Sequence, residues 1–167
     1  MVSFVQRPSY AISSAFLAAV ALFLALVAQY GFHLAPCPLC LYQRGPYVGI
    51  LVVGWLAVVS SKGQKMKILV ALAALWAISL VLGGYHSGVE AGFWTFAACS
   101  SPSQGANTIA ELQALIDQAS VTHCDQPAFL WMGLSMADMN VLLSGTMVGW
   151  GLLAIRGLSK RSPKNKG

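Results

Sequence analysis

Residues 11–28 read AISSAFLAAVALFLALVA, an apolar run whose only polar interruptions are Ser13 and Ser14. With its interfacial ends such a run reaches about 20 residues, which as a helix crosses about 30 Å of hydrocarbon. Lipid offers the backbone no hydrogen-bond partner, so the run must be helical rather than a lone strand. Three further runs follow: about Pro46 to Val59, Ile68 to Gly84, and Val141 to Ile155. The composition agrees. Of 167 residues 57 % are hydrophobic and 9 % charged, against roughly 25 % charged in a soluble domain. So few charges cannot cover a soluble surface, and the apolar excess excludes disorder. The length suggests one domain. The first run is longer than the ~7–15 residues of a signal-peptide core and no convincing A-x-A site follows, so it is read as an uncleaved helix. The expected fold is an all-α membrane protein, a four-transmembrane-helix bundle. Its helices should cover about 10–30, 42–60, 67–86 and 138–156, with outer loops at about 31–41 and 87–137.

The charges give the orientation. Arg7 precedes the first helix, Lys62, Lys65 and Lys67 join the second to the third, and Arg156, Lys160, Arg161, Lys164 and Lys166 follow the fourth. In an up-down-up-down topology all of these fall on one side, while Glu90, Glu111, Asp117, Asp125, Asp138 and the histidines fall on the other. The positive-inside rule makes the basic side, and both termini, cytoplasmic. The net charge of +5 therefore follows membrane topology and does not point to nucleic acid. Gly145 and Gly149, with Ala15/Ala19 and Ala21/Ala25, are read as close packing within the chain's own bundle.

The long outer loop carries signs of order. Thr108 and Glu111 form a T-x-x-E capping box followed by Ile109, Leu112, Leu115 and Ile116 at helical spacing, which predicts a short helix there. Ser135 and Asp138 make a similar start signal for the fourth helix. Trp94, Phe129 and Trp131 suit anchoring at the membrane interface.

All four cysteines lie on this outer side: Cys37 and Cys40 in the short loop, Cys99 and Cys124 in the long one. An oxidising compartment makes disulfides the default, and spacing favours Cys37–Cys40 with Cys99–Cys124. Zinc on four thiolates is the competing reading, but that compartment would oxidise them, so no metal is expected. A bridge from Cys99 to Cys124 closes a long loop and could serve as a staple. Cys37–Cys40 closes almost none; it is a poor staple, and the C-x-x-C ring is instead an exchangeable, redox-active pair. Pro38 fits the first position of a helix, which puts Cys37 at the N-cap and Cys40 in the first turn, where peptide dipoles favour thiolate.

Arg44, four residues after Cys40, falls one helical turn along the same face. It could stabilise a Cys40 thiolate or donate to a ligand carbonyl. Gly45-Pro46 should kink that helix or mark its true start. His86 closes the third helix at the same boundary, with Glu90 four residues on; a metal pair, a proton relay and a simple hydrogen bond are all open readings. His33 and His123 have weaker claims, though His123 adjoins Cys124.

The run Pro36-Cys37-Pro38-Leu39-Cys40-Leu41-Tyr42-Gln43-Arg44 after a first membrane helix closely resembles the motif of the DsbB family, disulfide bond formation protein B. The second cysteine pair, Tyr85-His86 at the end of the third helix, and Phe129 to Met136 before the fourth resemble the same family. Gln43 stands where Glu would also fit the pattern, and Pro46 follows the motif closely. The resemblance implies a bacterial inner-membrane thiol oxidase with its cysteines on the periplasmic side. A reduced periplasmic thioredoxin-fold protein of the DsbA type would attack Cys99–Cys124, with Cys99 taking the mixed disulfide. Cys124 would exchange with Cys37, and electrons would leave through Cys40 to ubiquinone or menaquinone from the quinone pool. Arg44 and His86 would hold the quinone oxygens beside Cys40. Strain, a charge-stabilised thiolate or a strongly oxidising acceptor is needed. A DsbA-type oxidant near −120 mV lies ~180 mV above an ordinary structural disulfide, roughly 8 kcal/mol uphill for two electrons. The alternatives are an enzyme similar to vitamin K epoxide reductase, where the membrane C-x-x-C follows the loop cysteines rather than preceding them, and a non-enzymatic scaffold with two structural disulfides.

Overall fold

The computed structural model describes residues 2–60, 64–96, 108–109, 124–125, 127 and 129–159. Helix α1 spans Val2–Leu26 and widens into a π-helical turn over Val27–Gly31. Helix α2 spans Pro38–Val59 and α3 spans Lys65–Glu90. A two-stranded hairpin follows, β1 (Leu130–Trp131) against β2 (Leu134–Ser135), and runs directly into α4 (Met136–Ser159). The hairpin turns on Met132 and Gly133, both at positive φ (53° and 82°), as a two-residue turn matched to strand twist requires.

The helices form a ring in chain order: α3 packs most extensively on α4, α2 contacts α3 and α1, and α1 closes against α4. The polarity of the ring is the reverse of a soluble protein's. Ser14, Ser79, Ser144, Asn140 and Gln43 are buried, while Phe16, Phe23, Val58 and Leu153 are exposed and Trp55 and Val81 are each 70 % exposed. Apolar side chains facing out and polar ones facing each other suit a lipid solvent. Three helices are long and apolar enough to cross a membrane, over Ser9–Gly31, Lys65–Glu90 and Met136–Gly157. Helix α2 is long enough at 22 residues but carries Gln43, Arg44 and Pro46 in its first half.

The core sits in the half of the ring away from the cysteines. Trp76, Tyr10, Ile50, Leu72 and Met147 are fully buried there. Trp76 meets the edge of Tyr47 at 5.5 Å between ring centres and donates its indole N–H to Ser14 Oγ at 3.2 Å. Helices α1 and α2 approach closely because Gly54 has no side chain: a Cβ there would lie 2.8 Å from that of Ala15.

Three expectations from the sequence are corrected. Helix α2 starts at Pro38, not near residue 42, and runs through Pro46, which supplies no N–H for the preceding turn. A helix within a bundle tolerates this because neighbouring helices hold it in place. Helix α3 continues one turn beyond His86 to Glu90. Gly145 and Gly149 are not the tight contact. A Cβ at Gly149 would meet nothing within 4 Å and one at Gly145 only Leu80 at 3.9 Å, whereas Gly151 lies against the Tyr10 hydroxyl. The fourth-helix signal is realised in full. Asp138 N–H donates to Ser135 Oγ at 3.1 Å and Ser135 N–H to Asp138 Oδ2 at 3.0 Å, a reciprocal capping box. Of the predicted loop helix only Thr108 and Ile109 are described; Glu111, Leu112, Leu115 and Ile116 lie outside the described residues.

Candidate active site

The first turn of α2 builds the redox pair. Cys37 is the N-cap, in extended conformation, and Pro38 occupies the first helical position without leaving an orphan N–H. Leu41 N–H donates to the Cys37 carbonyl at 3.1 Å, closing that turn. Cys40 N–H points at Cys37 Sγ at 3.2 Å, and the two sulfurs lie 2.8 Å apart without a disulfide. His86 Nε2, reaching over from α3, lies 3.6 Å from Cys37 Sγ. Donors therefore converge on Cys37. Hydrogen bonding from Cys40 above all, then from His86, outweighs burial and lowers the Cys37 thiol from 9.0 to about 4. The reduced pair thus holds its negative charge on Cys37, the sulfur nearest the helix N-terminus.

Cys124 packs with Cys37, Leu39 and Val89 in one buried cluster, flanked by Cys40 and Phe96, and is 1 % exposed. It is engaged in a disulfide. Cys99 and His123 lie outside the described residues. A loop cysteine from nearly ninety positions downstream is thus brought against the C-x-x-C pair, the juxtaposition that thiol–disulfide exchange requires.

His86 is only 3 % exposed and is held on both sides of its ring. Its Nδ1 lies 2.6 Å from Gln43 Nε2, and its Nε2 lies 3.6 Å from Glu90 Oε1. Gln43 is itself held by Asn140 Nδ2 at 2.5 Å. Sequence reasoning missed Asn140 and saw in Gln43 only a departure from a pattern. Both are polar residues within apolar helices, the one signal that could have singled them out.

Arg44 does not reach Cys40 through any described hydrogen bond. Its guanidinium donates to Gln29 Oε1 at 2.6 Å and to the Ala25 carbonyl at 3.4 Å. It thereby straps the π-helical end of α1, whose last turn carries no basic residue of its own. His33 lies in the loop at positive φ (55°), exposed and away from the pair. At the outer rim Trp94 stacks on Tyr85 with ring centres 5.6 Å apart and lies across Gly88, where any Cβ would collide with it.

Beside the cysteines opens a cavity of about 540 Å³. Its walls come mainly from apolar faces of α1 and α4, including Leu17, Ala21, Leu24, Met139 and Leu143. One end is polar and gathers Cys37, Cys40, Gln43, Arg44, His86 and Glu90. An apolar slot with a few convergent polar groups is the usual form of a small-molecule site. Its size and donors fit a flat, lipid-soluble ring bearing carbonyl oxygens. Among the described residues Cys37, Cys40 and His86 also cluster closely enough to share a cation.

A family model described as disulfide bond formation protein DsbB matches residues 7–154. The chain is 34 % identical over 129 residues to an uncharacterized protein of Rickettsia prowazekii (strain Madrid E), an alignment covering 75 % of this chain and 74 % of that protein. It is 30 % identical over 130 residues to disulfide bond formation protein B of Dechloromonas aromatica (strain RCB), covering 72 % and 75 %. A shorter match of 67 residues at 35 % identity joins it to disulfide bond formation protein B of Blochmanniella floridana, covering 40 % and 37 %.

Proposed function

The chain belongs to the DsbB family of disulfide bond formation proteins, and from that premise we propose that it is an inner-membrane thiol:quinone oxidoreductase. It reoxidises a periplasmic thioredoxin-fold protein of the DsbA type. Four helices cross the membrane, with both termini cytoplasmic and the cysteines periplasmic. The reversal of polarity around α1–α4 and the basic residues at one end of the bundle support this topology.

The observation that carries the reading is the C-x-x-C pair at the polar end of an apolar cavity. Two electrons enter at the disulfide between Cys99 and Cys124. The partner's dithiol becomes a disulfide as this one becomes two thiols, with Cys99 taking the mixed disulfide. Cys124 then attacks Cys37, forming Cys37–Cys124 as the Cys37–Cys40 bond breaks and Cys40 leaves as thiolate. Cys99 next attacks Cys124, which restores Cys99–Cys124 and releases Cys37, leaving the two electrons on the Cys37/Cys40 pair. Its packing against Cys37 supports Cys124 in this role. The acceptor, ubiquinone or menaquinone, takes two electrons and two protons when bound. Cys40 delivers the electrons; Arg44 and His86 hold the oxygens, and the apolar walls exclude water from the pair. The bonds that hold the Arg44 guanidinium to Gln29 and the Ala25 carbonyl at the cavity wall support that role.

Detergent-purified protein mixed with a reduced DsbA-type partner and quinone should bleach the quinone absorbance at a rate proportional to enzyme. Cys40→Ser should abolish the signal. Wild-type turnover in that variant, or none in the folded wild type across ubiquinone and menaquinone, would sink the proposal.

A further inference from the structure

The hydrogen bonds around His86 have a direction that begins at a backbone carbonyl, that of Ser79 two turns earlier in α3. Asn140 Nδ2 faces the Ser79 carbonyl at 3.4 Å. A carbonyl can only accept, so the nitrogen of that amide must be on this side. Its oxygen is then where the hydroxyls of Tyr47, Ser144 and Ser79 donate, at 2.6, 2.9 and 3.0 Å. Gly83 makes room for this amide: a Cβ there would lie 2.9 Å from Nδ2. The same Nδ2 donates to Gln43 Oε1 at 2.5 Å. Gln43 must therefore turn its own nitrogen outwards, and that nitrogen lies 2.6 Å from His86 Nδ1. An N–H facing Nδ1 leaves that ring nitrogen only the acceptor's role. The ring proton of neutral His86 then sits on Nε2, which faces Cys37 Sγ and Glu90 Oε1, both at 3.6 Å.

We propose that Gln43 and Asn140 are positioning residues that lock His86 as the Nε2–H tautomer, so that it acts as a hydrogen-bond donor into the cysteine cavity and neither as a proton-accepting base nor as a metal ligand. Accepting a second proton would put an N–H at Nδ1 against the Gln43 N–H. Ligating a cation through Nε2 needs its lone pair, hence the proton on Nδ1 with an acceptor opposite, the usual arrangement at metal-bound histidines. The relay supplies a donor there instead. Cys37, Cys40 and His86 have the composition of a soft-metal site, and the two amides behind them withhold the ring nitrogen from it. The inference deepens the quinone reading, since a fixed Nε2–H suits a carbonyl oxygen.

The test reads the ring directly and needs neither quinone nor partner, so it stands apart from the turnover assay. Nitrogen-15 NMR of reduced, histidine-labelled protein in nanodiscs, with His86 assigned by His86→Ala, should show Nε2 protonated and Nδ1 bare. Gln43→Glu places a carboxylate opposite Nδ1 and should move the proton there. Asn140→Asp should do the same at one remove, because its carboxylate accepts from Gln43 and turns the Gln43 oxygen towards the ring. A wild-type Nδ1–H tautomer, or an Asn140→Asp spectrum unchanged from wild type, overturns the proposal; the wild-type spectrum alone decides it should both variants misfold. As a second readout, the reduced Gln43→Glu protein should bind zinc ions at least about tenfold more tightly than wild type, the scale on which the hydrogen-bond partner behind a metal-binding histidine acts. Equal zinc affinities would overturn the withheld-ligand half of the proposal.

Discussion

The two halves of the bundle are built on different principles. Around Trp76 the helices are held by volume: Tyr10, Ile50, Leu72 and Met147 fill the ring, and Gly54 lets α1 approach α2. Around His86 they are held by direction. Cys37, His86, Gln43 and Asn140 form a single file in which each polar atom has a particular partner. Volume tolerates approximation, since a similar side chain can repack. Direction does not, since in lipid an amide turned the wrong way leaves two buried groups unpaired. The cavity opens in the directional half, beside Cys37, Gln43 and His86.

The largest expected effect lies in that half, on ionisation. Bonding from Cys40 and His86 lowers the Cys37 thiol from 9.0 to about 4. A group lowered on folding stabilises the folded protein fully above its unfolded value and progressively less as pH falls. Thiolate ultraviolet absorbance of the reduced protein should therefore persist down to about pH 4, at a proton concentration several powers of ten above that which protonates a free thiolate. The stability advantage of reduced wild type over Cys37→Ser should shrink as pH drops from about 9 towards 4. His86→Ala should shift the absorbance midpoint upward. Should wild type titrate like a free cysteine, the donors around Cys37 do not act as a set.

The packed half gives the next effect. Trp76→Ala removes a buried ring, its edge contact with Tyr47 and its bond to Ser14. Cavity formation on this scale costs about 3 kcal/mol. In lipid that loss is mainly of dispersion contact, because the alternative surroundings are equally apolar. Thermal unfolding in detergent checks it. The thiolate midpoint of Cys37 should not move; a matching shift would show that volume and direction are one system.

This difference also decides what the sequence could disclose. The apolar runs, the Cys37-Pro38 helix start and the Ser135–Asp138 capping box are local, and each was readable because its partners lie within four positions. Family resemblance added the roles of Arg44 and His86. The Gln43–Asn140 bond joins residues 97 positions apart with no periodic signature, so it emerges only when the ring sets α2 and α4 across from one another. Of the two readings of Pro46, a kink or the true start of the helix, the second is overturned for a related reason. Proline marks a helix boundary in water, but inside a spanning bundle the surrounding helices carry it. The small-residue spacing of Gly145 and Gly149 was equally local, and local spacing does not say which neighbour a face meets.

Asp138 lies at the entry to α4, at the edge of the directional half, and it supplies the smallest effect and the sharpest comparison. Its Oδ2 accepts from Ser135 N–H, and its Oδ1 accepts from the hydroxyl of Ser87, the residue beside His86. Asp138→Ala removes the carboxylate half of the capping box and that link together, while the backbone N–H of residue 138 keeps its bond to Ser135 Oγ. Loss of a cap costs about 1 kcal/mol, which for a chain of this size lowers the thermal midpoint by about 2–4 °C. The relay should survive, because Asn140 is held by Ser79, Ser144, Tyr47 and Gln43 rather than by the cap. The His86 tautomer should therefore match wild type while stability falls. A small loss of stability accompanied by a changed tautomer would mean that the entry to α4 sets the register of Asn140. The direction of the amides would then originate in the capping box and not in the Ser79 carbonyl.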